Sequence, residues 1–281
     1  MVSSSRLQFE EVGDWSVIKH EILKRYLTEY EKIFKSPKQS SLSTAYIDAF
    51  AGSGQSLSRS NGSVLDGSPL VALDYHFDDY HFIELNPDKA GYLKSCLPEK
   101  RNICVYVGDC NEILLSRVFP QVKWADYRRG VCFLDPYGLS LDWKVIETAG
   151  RLGTIDMILN FPVMDMNRNV FWHKPEGVDP HDIERMNSFW GNESWRQVVY
   201  KEDLTFFGPE EQKAPNFEIA LAFQERLKDV AKFKEVPRPC PMRNSRMGVI
   251  YYLFFASQRK NAHKIMDHIF KRFGTPRPSH E

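Results

Sequence analysis

The stretch Tyr46-Ile-Asp-Ala-Phe-Ala-Gly-Ser-Gly54 decides the fold class. Residues 44–50 form a short apolar run that reads as a strand and ends in a turn of small residues. Gly52 and Gly54 have no Cβ, so the backbone there can approach a ligand closely. A glycine pair alone also fits an ordinary tight turn, and at this point both readings stay open.

The surrounding pattern narrows the choice. Upstream, apolar residues from Ile18 to Phe34 recur at helical spacing and predict a helix over residues 15–34, stopped by Ser36-Pro37. Downstream, apolar runs at 80–85, 103–107, 130–134 and 155–161 predict four more strands. Helical segments separate them. Ser68-Pro69 and Asn86-Pro87 each pair a capping residue with a proline at the first helical position, predicting helices to about 75 and 97. Residues 111–118 read as helical, and Ser140 reads as the cap of a helix to 151. Five short strands alternating with helices imply an α/β fold with a parallel sheet covered on both faces. Residues 163–214 hold three of the six tryptophans and no clear strand, so they read as a helical insertion. A helix over 216–230, an antiparallel pair at 231–236 and 247–256, and a helix over 261–273 complete the chain.

Polar residues gather where these strands end, at the edge where open α/β sheets bind ligands. Glu84 ends the second strand, where an acid accepts from ribose hydroxyls; a solvated loop carboxylate fits equally. Asp109 with Cys110 follows the third strand. Asp109 reads either as an acceptor for an exocyclic adenine amine or as a helix N-cap. Asp135-Pro136-Tyr137 ends the fourth strand and combines an acid, a rigid residue and a flat ring. Four such motifs on successive strands are far more specific than one.

Lys plus Arg balances Asp plus Glu at 37 each in 281 residues, so no global field draws the chain to nucleic acid or membrane. A local excess does occur: Lys232, Lys234, Arg238, Arg243 and Arg246 face only Glu235, and Arg259, Lys260 and Lys264 continue it. Arg238, Arg243 and Arg246 are the candidate phosphate contacts, and a solvated hairpin face is the competing reading. The five cysteines form no CxxC pair and read as reduced thiols, with Cys104 and Cys132 in the core. The opening residues lack a basic-then-apolar leader, and no run reaches transmembrane length. The expectation is a cytoplasmic chain without a membrane anchor. The histidines have no ligand spacing, so no metal is expected.

The chain resembles the class I S-adenosylmethionine-dependent methyltransferases, and more closely the three-Cys-motif partner proteins. The resemblance runs through Val17-Ile-Lys-His-Glu-Ile-Leu-Lys24, Tyr46 to Gly54, Gly67-Ser-Pro-Leu-Val-Ala-Leu73, Phe82-Ile-Glu-Leu-Asn-Pro87, Phe133-Leu-Asp-Pro-Tyr-Gly138 and Tyr251-Tyr-Leu-Phe-Phe-Ala-Ser257. The amino-terminal half is also similar to the ribosomal RNA adenine-N6 methyltransferase J family. Asp135-Pro-Tyr-Gly138 departs from the Asp-Pro-Pro-Tyr of that family by one proline and is closer to the Asp-Pro-Phe-Gly of transfer-RNA guanine-N2 dimethyltransferases.

The resemblance implies a Rossmann-like, mostly parallel seven-stranded sheet with its last strand antiparallel, built from residues 44–162 and 215–281. Residues 1–43 would be an amino-terminal helical segment, and 163–214 a helical insertion for substrate recognition. It implies S-adenosylmethionine as cofactor, with Phe50, Ala51, Gly52 and Gly54 around its methionine part and Asp48 and Ser53 in the same loop. Lys19 would meet its carboxylate, Glu84 its ribose, and Asp109 and Cys110 its adenine. Asp135, Pro136 and Tyr137 would face the methyl acceptor, an exocyclic amine of a DNA or RNA base. Two alternatives stay open: a cofactor-binding subunit working with a three-Cys-motif protein, and a methyltransferase for a small molecule or protein. Oligomeric state is left open.

Overall fold

The structure, a computed structural model, describes residues 9–36, 41–205 and 208–274. These fall into two compact units divided between Leu134 and Asp135.

The first unit opens with a short strand, β1 (Glu11–Val12), and a long helix, α1 (Asp14–Phe34). Ile22, Leu23, Tyr26, Leu27 and Tyr30 are all buried, as their helical spacing requires. Pro37, expected to end this helix, lies outside the described residues. Strand β2 (Ser43–Asp48) leads into the glycine loop, followed by β3 (Gln55–Ser58), β4 (Val64–Asp66), α2 (Ser68–Ala72), β5 (Asp79–Glu84), α3 (Pro87–Cys96), β6 (Ile103–Val107), α4 (Cys110–Ile113) and β7 (Arg128–Leu134). Strands β7, β2, β5 and β6 are adjacent and parallel, with Asp48 opposite both Phe82 and Phe133.

The second unit contains α5 (Trp143–Leu152), β8 (Ile155–Phe161), α6 (Val163–Asn169), α7 (Pro180–Trp190), α8 (Trp195–Val199), β9 (Tyr200–Thr205), β10 (Gly208–Lys213), α9 (Asn216–Asp229), β11 (Cys240–Arg243), β12 (Val249–Ala256) and α10 (Lys260–Gly274). Strand β12 runs antiparallel to both β8 and β11. The large sheet has seven strands in the order β11-β12-β8-β7-β2-β5-β6. The last strand of the chain is thus its reversed member, as expected.

Several local expectations change. The pair expected at 231–236 and 247–256 is instead β11 with β12. Residues 231–236 have only an isolated bridge, Glu235 to Ser257. Their backbone bonds go elsewhere: Phe233 N–H donates to Leu227 O, and Gln224 Nε2 to Val236 O. The insertion expected to lack strands holds the antiparallel β9–β10 pair. A small sheet, β1-β3-β4, was not foreseen. Gly67 rather than Ser68 occupies the N-cap of α2, and Asp142 rather than Ser140 that of α5. Cys104 is exposed, because it takes the outer face of strand β6, whereas Cys132 is buried. Among the described residues no helix is long and apolar enough to cross a membrane.

His81, on β5, is a test of this core. It is almost fully buried, shares a 3.1 Å hydrogen bond with the Tyr106 hydroxyl through Nδ1, and has no partner at Nε2. Burial pushes its pKa down to about 4 from 6.5. The neutral ring is favoured in the folded chain, so its contribution is complete above pH 6.5 and is lost as pH falls toward 4. Unfolding in urea is therefore expected to show His81→Phe losing about 2–3 kcal/mol less stability than the parent between neutral pH and mildly acidic pH.

Candidate active site

In the first unit the site is built on the loop after β2. Gly52 and Gly54 have φ of +61° and +80°, a region that L side chains rarely adopt. A Cβ on Gly54 would stand 2.7 Å from Leu93 Cδ1, and one on Gly67 would stand 2.9 Å from Gly54 O. Gly67 N–H instead donates to Gly54 O at 2.7 Å. A Cβ on Gly52 would meet no protein atom within 4 Å, so the loop there faces open space.

Three backbone bonds fix the loop between its neighbours. Ala49 N–H donates to Phe133 O at 3.1 Å, Ala51 N–H to Ile83 O at 2.9 Å, and Gly52 N–H to Glu84 Oε2 at 2.8 Å. Glu84 Oε1 accepts from Asn86 N–H at 2.8 Å. Asp48 is fully buried and its Oδ1 accepts from Phe50 N–H, so it braces the turn. Ser53 is buried, and its hydroxyl donates to Gln55 O.

Asp109 caps α4, accepting from the N–H groups of Asn111 and Glu112, and Cys110 is buried behind it. The capping reading is therefore seen directly. Lys19, only 6% exposed, has its ammonium 5.9 Å from the centroid of the Phe133 ring, near the end of β7. Sequence reasoning missed Leu85 and Val107. Both are large apolar side chains exposed at the ends of adjacent strands β5 and β6, beside Glu84 and Gly108. The available signal was an apolar residue at the last position of each expected strand, 80–85 and 103–107.

In the second unit Asp135 is half-buried, Pro136 is buried and the Tyr137 ring is 89% exposed. Gly138 turns the chain with φ +61°, and a Cβ there would lie 2.8 Å from Asp165 Oδ2. Asn160 Nδ2 donates to Asp135 Oδ1 at 2.8 Å, while Asn160 Oδ1 is buried without a hydrogen-bond partner. Tyr251 also lies near Asp135. Burial, together with the charges of Asp135 and Cys240, holds its hydroxyl well above the usual range, so it is a neutral group. Asn160 and Tyr251 were also missed. A single amide near the end of the otherwise apolar β8 was the signal for Asn160.

The candidate phosphate residues lie in the same unit. Phe161, the last residue of β8, pairs with Tyr252, and Arg243 pairs with Val249. The β11–β12 turn thus runs past the carboxyl end of β8, with Arg243 at its start and Arg246 on it. Arg238 precedes β11 and lies over the Phe217 ring at 4.5 Å. Of the tryptophans in 163–214, Trp190 and Trp195 are buried in a local core, and Trp172 is partly exposed. Among the described residues no group of three His, Cys, Asp or Glu side chains could hold a metal ion.

The chain matches no family model and no curated protein. Among solved structures it is similar to a Legionella pneumophila protein of family DUF519, with 12% identity, 92% of each chain covered and a TM-score of 0.48. It is also similar to an S-adenosylmethionine-dependent methyltransferase from Mesorhizobium loti (10% identity, 82% of this chain and 97% of that chain, TM-score 0.40). A third is the plantazolicin methyltransferase BamL, solved with SAH (10% identity, 86% and 84%, TM-score 0.36). At these values the strand order, rather than the likeness, describes the fold.

The left-handed turn is testable by itself. Gly54→Ala is expected to lose about 1–2 kcal/mol from the strained φ alone, and more from the Leu93 contact. Gly91→Ala, on the open face of α3 where a Cβ meets nothing within 4 Å, is the control expected to lose no stability. Chemical denaturation of both variants reads the difference.

Proposed function

We propose that the chain is an S-adenosylmethionine-dependent methyltransferase acting on an exocyclic amino group of a nucleobase in DNA or RNA. The observation that carries this reading is the Asp135–Asn160 hydrogen bond at the end of β7, beside the exposed Tyr137 ring. The motif resemblance supplies the methyl donor.

The residues of the first unit fit such a cofactor. The space above Gly52 admits a ligand against bare backbone, and Glu84 offers a carboxylate whose remaining lone pairs can accept from ribose hydroxyls. Phe50, Ala51, Ser53 and Gly54 shape the turn, with Asp48 behind it. Leu85 and Val107 offer apolar surface to adenine, with Asp109 and Cys110 next along the chain. Lys19 would meet the carboxylate. When bound, the cofactor supplies an electrophilic methyl group.

An exocyclic amine is a weak nucleophile, because its lone pair is conjugated with the ring. Asp135 would accept an N–H of the amine and stabilise positive charge as it develops on nitrogen. It would then take the proton released. Asn160 holds the carboxylate through Oδ1, which fixes its orientation and supports in-line positioning. Tyr137 would stack on a base that is single-stranded or flipped from a duplex. Arg238, Arg243 and Arg246 would contact phosphate.

The second reading is a cofactor-binding subunit that acts with a three-Cys-motif protein. The exposed Tyr137 ring is as open to such a protein as to a base.

Asp135→Ala is expected to bind the cofactor as the parent does, measured by calorimetry. It should lose about 100- to 1000-fold in radiolabelled methyl transfer to mixed nucleic acids. Undiminished transfer would remove Asp135 from the acceptor site. Transfer by the parent only when the partner protein is added would select the second reading.

A further inference from the structure

A cavity of about 580 Å³ opens beside β11. Its wall combines Phe217, Tyr252 and Phe270 with Arg238, Arg243 and Lys271. That volume is within the range of small-ligand sites. The single carboxylate in the lining, Asp267, binds Lys271 at 2.7 Å, which leaves the two arginines to set the sign of the field. The Arg238 guanidinium lies 4.5 Å from the centroid of Phe217, and the Phe217 and Tyr252 rings are 6.0 Å apart. A guanidinium laid on a ring makes a flat cationic platform, a surface on which unstacked bases lie. Arg243 donates to Met247 O through one terminal nitrogen, and its buried Nε has no hydrogen-bond partner.

Other occupants fit less well. Strand β11 is the edge of the sheet, and its Pro239-Cys240-Pro241 run lacks backbone donors at both prolines. An added peptide strand would find a broken ladder there. Cys240 lines the cavity, but burial pushes its thiol pKa up to about 12, so it offers no thiolate for covalent chemistry. A planar anion matches the combination of stacked cation and aromatic wall.

We propose that this cavity binds a nucleotide, with its base on the Phe217–Arg238 stack and its phosphate against Arg243. The inference rests on the nucleic-acid reading above only for the source of that nucleotide, a residue of the substrate strand. A free nucleotide has the same chemistry.

The test uses the full chain, a fluorescein-labelled single-stranded oligonucleotide, and AMP as competitor. The Arg238→Ala/Arg243→Ala double variant is expected to bind the oligonucleotide at least about ten-fold more weakly. The slope of log K against log salt should become shallower by about 0.7, the loss of the single-strand phosphate contact of Arg243. Arg238→Lys keeps the charge but loses the plane, so it should weaken binding with an unchanged slope. Calorimetric S-adenosylmethionine binding should be the same in all variants, which shows that they are folded. Competition by AMP as strong as by unlabelled oligonucleotide assigns the site to free nucleotides, and much weaker competition assigns it to a strand. Parental affinity in the double variant, or no binding of either probe by the parent, overturns the proposal. Either failure leaves the Asp135 experiment standing, because that experiment reads transfer and this one reads binding.

Discussion

The Glu84 carboxylate is the tie on which the glycine loop depends. Its two oxygens accept from the backbone of Gly52 on one side and Asn86 on the other. The parallel pairing of β2 with β5 brings these two strand ends side by side, with Asp48 opposite Phe82. Glycine adopts the left-handed region without steric cost but loses much conformational freedom when fixed there, and this carboxylate fixes it from the neighbouring strand. Asn86 then passes the restraint on, since its side chain caps α3 through the N–H groups of Asp88 and Lys89. A residue read from the sequence as a ribose acceptor is thus seen in the structure as the brace of the glycine loop. The two roles are compatible, because an ionised carboxylate has about four acceptor directions and the backbone uses two of them.

Much of the fold was legible because its signals are local. Strands of five to seven apolar residues stand out from helices capped by Asn-Pro, and the Asn86 cap appears as its sequence suggests. The errors have a common cause. Residues 231–236 have the apolar alternation of a strand, yet their backbone groups bond to α9 at Ala231, Phe233 and Val236, to Gln258 at Lys232 and to Ser257 at Glu235, which only tertiary structure reveals. The true strand at 240–243 was hidden by Pro241 within it and Pro239 before it, which propensity counts against a strand but which an edge strand tolerates. Cys104 shows the limit of reading burial from an apolar run, since alternate residues of β6 face opposite sides.

The candidate site was legible in its acids and not in their supports. Glu84, Asp109 and Asp135 announce themselves because charged residues at the ends of apolar strands are rare. Asn160 and Tyr251 lie 25 and 116 residues beyond Asp135 and meet it only through the sheet. No spacing rule connects them. The sequence reading also gave Asp109 two roles, and the structure displays the cap without excluding an additional contact.

Strand β8 shows why the type of support matters. At its start Asp156 is buried and is met by the Arg259 guanidinium and the Ser257 hydroxyl. A cation there cancels the charge that burial makes costly, and the result is a structural ion pair. Four residues on, on the same face of the strand, Asn160 meets Asp135 with an amide. An amide orients a carboxylate and brings no countercharge. Asp135 is half-buried, and the amide fixes the direction of its Oδ1. One strand thus contains two aspartate supports of different kinds: one closes a charge into the fold, and the other orients a carboxylate through a neutral amide.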